Sequence, residues 1–281
     1  MTPRAFVRVP EGWVVEERRA IGPFVTRERY RLPDGSSCTW TSRRHRKTGR
    51  VEEERAAVER PWWQPRRLGW WVAIAFMAGS ALFALGAFPA YADHVDARIV
   101  SVTYFVGSIF FTSAGYLQFV QTINAGDEIG GPSRRTPTRF LAWQPRRIDW
   151  WSASVQSVGT LLFNISTFSA LQASFSLQQQ ERLVWAPDMF GSIAFMIAST
   201  LAWIEVCHGW WRWRPRETPW RIVALNLAGS IAFQLSAIAA FIRPATGELV
   251  SIPIANLGTF VGAVAFFVGA LLLIPEMGDE K

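Results

Sequence analysis

Two apolar segments of the chain carry amide and hydroxyl side chains at a spacing that could build a polar surface inside a membrane. Segments 149–171 and 220–242 each hold three such residues at intervals of four, so each set lies on one face of a helix. We call these sets the amide stripes, and they consist of Gln156, Thr160, Asn164, Asn226, Ser230 and Gln234. A buried amide needs a hydrogen-bond partner, so both stripes are predicted to face the interior of a helical bundle.

The amide stripes allow two interpretations. In the first, they join neighbouring helices through hydrogen bonds that contribute about 0.6 kcal/mol each. In the second, they line a polar cavity that binds a small solute. The equivalent positions of segment 69–91 are Phe76, Ser80 and Ala84, so the stripe is lost there.

Glu205 is the acidic residue that lies well inside an apolar segment, and Cys207 and His208 follow it closely. These residue types could hold a metal ion or supply a nucleophile. At 100° of helix rotation per residue, however, the three side chains do not share one tight face. We therefore interpret Glu205 either as a carboxylate paired with an arginine at the membrane interface or as a carboxylate that couples a proton to transport.

Several kinds of chemistry lack the residues they need. A retinal Schiff base requires a lysine inside the membrane, and the lysines are Lys47 and Lys281. A bis-histidine haem requires paired histidines at one depth, but His45, His94 and His208 are spread over different regions. Phosphate-binding loops, HExxH and GxSxG are absent from the sequence. The sequence predicts no catalytic residue, no metal and no cofactor, and therefore a protein that is not an enzyme.

Six apolar segments are long enough to cross a membrane, which takes about 20 helical residues. They lie at 69–91, 98–123, 149–171, 188–211, 220–242 and 252–274. Half of the chain is apolar, and charged residues are dense before position 68. The composition thus predicts an all-α integral membrane protein with six transmembrane helices and a separate N-terminal region.

A motif, Trp-x-Pro-Arg, opens three similar segments that begin at Trp63, Trp143 and Trp213. Each copy reaches a small pair at the same distance, at Gly79-Ser80, Gly159-Thr160 and Gly229-Ser230, and the next helices carry Gly107-Ser108, Gly191-Ser192 and Gly262-Ala263. Matched offsets of this kind indicate a tandem repeat. We predict three helical hairpins, at 61–124, 141–211 and 213–275, and a tail at 276–281.

Residues 1–60 are predicted to form a small cytosolic region with a β-hairpin. Pro33-Asp34-Gly35 lies between two alternating segments, FVTRERYRL and SSCTWTSRR, which is typical of a hairpin turn. A preceding strand pair, AFVRV and GWVVEE, and a short charged helix at 51–60 are also predicted. The alternative is a partly disordered basic tail.

Arginines fix the predicted orientation and the predicted partners. The net charge is +7, and among the links between predicted helices the arginines are concentrated between helices two and three and between helices four and five, whereas the links on the other side hold one basic residue each. This asymmetry places both termini in the cytoplasm, at the plasma membrane. Tryptophan and arginine at that boundary are predicted to bind anionic lipid headgroups. The interface residues are Trp63, Arg66, Arg67, Trp70, Trp143, Arg146, Arg147, Trp150, Trp213 and Arg216.

The paired Gly-Ser helices resemble the YrhK-like family of small bacterial membrane proteins, in which a domain of two spanning helices carries Gly-Ser near the middle of each. The resemblance is best at Gly79-Ser80 with Gly107-Ser108, and it departs at Thr160 and Ala263. It implies a fold and a membrane location and leaves the function open. The N-terminal region is not part of the resemblance.

The predicted function is that of a membrane scaffold or sensor whose basic cytosolic face contacts anionic lipid or a protein partner through residues 1–60. The alternative is a small-solute transporter or channel that uses the amide stripes. Nucleic acid is not a predicted partner, because the excess charge lies beside helix ends. The sequence does not indicate an oligomeric state.

Overall fold

The computed structural model describes residues 6–48, 62–125, 137–172 and 174–276. Most of these residues are helical, and a small three-stranded sheet lies near the N-terminus. The predicted helix at 51–60 and most of the predicted tail at 276–281 lie outside the described residues.

Six long helices dominate the described part of the chain. Their bounds are Leu68–Ala87 (α2), Ala97–Ile123 (α4), Ile148–Ser169 (α5), Ala186–Cys207 (α7), Thr218–Ala239 (α8) and Ile252–Glu276 (α9). Two short helices, Pro89–Ala92 (α3) and Leu177–Gln180 (α6), precede α4 and α7, and a π-helical turn at Glu181–Trp185 joins α6 to α7.

Five helices are long and apolar enough to cross a membrane, where six were predicted. They are α2, α4, the continuous helix from Leu177 to Cys207, α8 and α9. Helix α5 has sufficient length but falls short in hydropathy, because serine, threonine, asparagine and glutamine recur along it. The apolar helices indicate a membrane protein.

The long helices form a closed ring. Each packs against the long helix before and after it in the chain, and α9 packs against α2. One phenylalanine from each helix fills the centre of the ring, and none is more than 6% exposed. This phenylalanine core consists of Phe83, Phe111, Phe163, Phe195, Phe233 and Phe266.

Glycines allow the paired helices to approach closely enough for these rings to meet. A Cβ atom on Gly107 would lie 2.8 Å from the Phe83 ring, and one on Gly191 would lie 2.9 Å from the Phe163 ring. The same contact recurs between α8 and α9, where Gly229 faces Phe266. Each glycine thus provides the space that the phenylalanine of the partner helix occupies.

The N-terminal domain is an antiparallel sheet of Val14–Ile21 (β1), Phe24–Arg31 (β2) and Ser37–Thr41 (β3), in that order. The predicted hairpin is confirmed: β2 and β3 pair on either side of the turn, where Gly35 adopts φ +86°. The predicted strand pair is wrong in part, because β1 pairs with β2 and the described residues 6–9 form only a bridge at Arg8. Tyr30, Cys38 and Trp40 form the buried core of this domain.

Candidate functional site: a polar cavity beneath a docked basic helix

A short helix, Ser42–Thr48 (α1), leaves strand β3 and docks against one end of the ring. Its basic residues Arg43, Arg46 and Lys47 are spaced three and four apart, so they lie on one face. Their side chains are only 12%, 8% and 11% exposed. The basic last turn of α1 also interacts favourably with the negative end of the helix dipole.

Three carboxylates from three ring helices receive this basic face. Arg46 Nη1 lies 3.3 Å from Glu205 Oε2 on α7 and 3.4 Å from Asp149 Oδ2 on α5. Ser42 Oγ donates a hydrogen bond of 2.6 Å to Glu205 Oε1. The contact therefore joins α1 to the beginning of α5 and the end of α7.

Glu276 at the end of α9 binds the other two cations. Arg43 Nε and Nη2 donate to its two carboxylate oxygens at 2.7 and 3.1 Å, and Lys47 Nζ also contacts it. Asp149 is shared with Arg147, whose Nη2 lies 2.6 Å from Oδ2. We call these seven residues the ion cluster: Arg43, Arg46, Lys47, Arg147, Asp149, Glu205 and Glu276.

Burial and mutual charge set the protonation of the basic residues on α1. Burial alone would lower the pKa of Arg46, but the charges of Glu205 and Asp149 raise it above its ordinary value. Burial, together with the charge of Arg46, lowers the pKa of Arg43 to about 10. Both guanidinium groups therefore remain charged at neutral pH, as a buried ion pair requires.

A cavity of about 60 Å³ lies between α1 and the phenylalanine core. Since one water needs about 10–15 Å³ of such space, it has room for roughly four waters. The three cations of α1 line one side, and Phe266 of the core lines another. Its uncharged polar lining residues are Gln118, Gln121, Ser152, Gln156, Ser199 and Asn226.

The structure divides the amide stripes between the cavity and the helix contacts. Gln156 and Asn226 line the cavity. Asn164 instead joins α5 to α4, accepting from Ser108 Oγ at 2.8 Å and donating to the Ser108 carbonyl at 3.2 Å. The two stripes are thus not uniform: Gln156 and Asn226 line the cavity, whereas Asn164 lies in a helix contact.

The remaining stripe residues also lie between neighbouring helices. The carbonyl of Thr160 accepts from Thr112 on α4 at 3.1 Å. The Ser230 and Ser199 hydroxyls are 2.8 Å apart between α8 and α7, and Gln234 Nε2 lies 2.9 Å from Met189 Sδ. These contacts hold α5 on α4 and α8 on α7.

Glu205, Cys207 and His208 do not form a common site. Glu205 belongs to the ion cluster, whereas Cys207 Sγ lies 3.7 Å from the Arg212 carbonyl. His208 ends α7 with φ 49°, and burial beside several arginines lowers its pKa to about 4. In the described part of the chain, no group of three or more metal-ligating residues comes together.

The three Trp-x-Pro-Arg motifs adopt one local structure. Each opening tryptophan packs edge-on against the tryptophan seven positions later, with ring centroids 4.9, 4.7 and 4.9 Å apart. The second indole of each pair donates to a carbonyl eight residues earlier, as Trp150 does to Ala142 at 2.9 Å. The motif is thus a helix start at which one exposed indole packs edge-on against one buried indole.

Only some of the residues predicted to contact lipid are exposed to the surroundings of the protein. Trp63, Trp143, Trp213, Arg66, Arg146 and Arg216 are exposed. By contrast, Trp70 and Trp150 are at most 6% exposed, and Arg147 is held by Asp149. Arg67 is partly buried. For Trp70, Trp150 and Arg147 the prediction of a lipid contact is wrong, because these side chains fold back onto the protein.

Sequence reasoning missed α1 and the phenylalanine core. The spacing of Arg43, Arg46 and Lys47 was one available signal, because it matches a helix face rather than a strand. A second signal was the phenylalanine that follows each glycine by four residues in all six apolar segments. Neither pattern identifies the residues that these side chains contact, because those residues lie far away in the chain.

Comparisons with protein-family models, with curated protein sequences and with solved structures found no match to this chain. The class of protein is therefore given by the fold itself: a helical membrane protein with a small docked β-domain. The functional argument depends on the chain's own residues.

Proposed function

We propose that the protein is a non-enzymatic membrane scaffold or sensor in which the N-terminal domain responds to, or holds, the ends of the ring helices. The observation that carries this proposal is the ion cluster, which joins the domain to α5, α7 and α9 through buried charges. A displacement of any of these helix ends would strain or break the contact. The docked domain can then present its outer surface to a protein partner.

Helix α5 is proposed as the sixth span. Its polar side chains bond to neighbouring helices, as Ser152 Oγ does to the Ala198 carbonyl at 2.9 Å and Ser157 Oγ to the Gly115 carbonyl at 3.0 Å. Its exposed face is apolar, with Val158, Leu161, Ile165 and Phe168 each about half exposed. Mean hydropathy averages all faces of a helix, whereas lipid contacts only the outer one.

The three hairpins are proposed to be repeats of one unit. The equivalent glycine–phenylalanine contacts within α2–α4, α5–α7 and α8–α9 support this, as do the three matching tryptophan pairs. The resemblance to YrhK-like membrane proteins depends on the same Gly-Ser pairs and stays a prediction.

The proposed orientation places the docked domain and the exposed arginines in the cytoplasm. Thr138 and Gln178 are exposed at opposite ends of the ring, so each can carry a reporter cysteine in a Cys38→Ala/Cys207→Ala background. A membrane-impermeant maleimide should label Gln178→Cys in intact cells and Thr138→Cys only after permeabilisation. Labelling of both from outside would contradict the orientation.

The exposed arginines are expected to select anionic lipid. Each arginine near the surface contributes roughly 1 kcal/mol of attraction to an anionic leaflet. The triple variant Arg66→Gln/Arg146→Gln/Arg216→Gln should therefore lose most of the preference for phosphatidylglycerol over phosphatidylcholine, measured by lipid exchange into nanodiscs. The matched control is Arg98→Gln/Arg182→Gln/Arg243→Gln at the other ring end, which should keep it. Equal losses in both triples would leave the basic face without a lipid role.

The cavity favours a second candidate function, that of a small-solute transporter. Half of its lining residues are polar or charged, and it reaches from the docked helix to the middle of the ring. In the described conformation, the phenylalanine core lies between the cavity and the far end of the ring. Transport would therefore require this core to separate, whereas the scaffold or sensor keeps it closed.

A further inference from the structure

We infer that the cavity beneath α1 is a binding site for one small monovalent inorganic anion of the size of chloride. This inference goes beyond the proposed function, because the site would exist whether the protein acts as a scaffold, a sensor or a transporter. Its basis is the chemistry of the cavity wall.

The charged residues that line the cavity are all cations. They are Arg43, Arg46 and Lys47, and none of the three carboxylates of the ion cluster is part of the lining. Two of these three cations, Arg43 and Lys47, share the single carboxylate of Glu276. Counted over its seven described residues, the cluster holds four basic groups and three carboxylates, one more basic group than acidic.

Lys47 lies in the same buried, basic surroundings. Burial, with the charges of Arg43 and Arg46, lowers the pKa of Lys47 well below its ordinary value. Burial is the largest cause of this shift, and the two neighbouring guanidinium groups add to it. A bound anion would compensate the excess charge and favour the protonated lysine.

Amide groups from three helices supply further donors. Gln156 accepts a hydrogen bond of 3.2 Å from Gln118 through Oε1, which leaves its Nε2 amino group for the cavity. The side-chain amides of Gln121 and Asn226 also line the cavity, and no hydrogen bond within the described residues involves them. Residues with side-chain amides on α4, α5 and α8 therefore line the same space as the cations of α1.

Size and charge select the ligand. The cavity has room for roughly four waters, so it can hold one halide-sized ion together with a few waters. One excess positive charge is neutralised by a monovalent anion, whereas a divalent oxyanion would leave a buried negative charge uncompensated. Chloride is the appropriate probe, and nitrate should replace it while sulfate should not.

The test is a chloride titration of the purified full chain in detergent, at constant ionic strength, with gluconate as the replaced anion. The melting temperature should rise saturably by roughly 3 °C or more, because a ligand that binds only the folded state stabilises it. The double variant Gln156→Leu/Asn226→Leu should lose this rise. Gln234→Leu, a matched amide outside the cavity, should retain it.

Diffraction supplies a second measurement that does not depend on how well the variants fold. Crystals of the unaltered chain grown with bromide should show an anomalous peak inside the cavity, within contact distance of Arg46 or Lys47. Equal melting temperatures in chloride and gluconate, a rise that survives in the double variant, or a bromide-free cavity would each overturn the inference. In those cases the cavity holds water alone.

Discussion

Arg46→Met is expected to lower the free energy of unfolding by about 3–5 kcal/mol, because it removes one partner from a buried set of charges. Glu205 is 1% exposed, and among the described residues of α1 only the Ser42 hydroxyl would still bond to its carboxylate. Glu205→Met should have an effect of similar size, since it leaves the Arg46 guanidinium with Asp149 alone. Both changes should also undock α1, which hydrogen exchange of its backbone amides would detect.

The double variant Arg46→Met/Glu205→Met separates the pair from its surroundings. Replacing both charges with apolar side chains of similar length should recover most of the lost stability, because no uncompensated charge stays buried. Asp149 keeps its contact with Arg147 in that variant. Arg216→Met, an exposed arginine at the same ring end, is the control and should change stability by about 0.5 kcal/mol or less. Additive losses in the double variant would show that the two residues act independently.

Phe195→Ala is expected to cost about 3–5 kcal/mol, because it leaves a cavity in the phenylalanine core. The Phe195 ring is 1% exposed, and its centroid lies 5.0 Å from that of Phe163 and 5.5 Å from that of Phe266. Phe163 on the same hairpin and Phe266 on the third hairpin would both lose contact, so the ring of helices cannot close over the gap without moving. Reversible unfolding in detergent or in a lipid bicelle would measure the loss.

Phe190 provides a control on the same helix. It is 62% exposed, so Phe190→Ala removes the same atoms from the lipid-facing surface of α7 and should have a much smaller effect. Phe195→Leu should fall between the two, because it restores part of the lost volume. Equal costs for Phe195→Ala and Phe190→Ala would contradict a structural role for the phenylalanine core.

The docked helix also accounts for the polar end and the apolar middle of the ring. Apolar rings from all six helices meet at the centre, and dry packing there needs no polar partner. At the end that binds α1, the charges of the ion cluster require donors, acceptors and water. The cavity lies at the junction of these two environments, where amides can face ions on one side and phenylalanine on the other.

The sequence by itself determined the features that depend on local periodicity. Three features can be recognised from short stretches of sequence: the apolar segments of spanning length, the Pro-Asp-Gly hairpin and the repeated glycine positions. The structure contains helices, a hairpin and close helix contacts at those places. Mean hydropathy does not identify α5 as a span, since a segment average does not separate one side of a helix from the other.

Only the tertiary structure decided which residues meet. Arg46 and Glu205 are 159 positions apart, and their contact requires α1 to dock on the ring. The same holds for the amide stripes, whose regular spacing predicted a common face but could not assign Asn226 to a cavity and Asn164 to a helix contact. A helical period fixes the direction of a side chain relative to its own axis, whereas its partner depends on how the helices close into a ring.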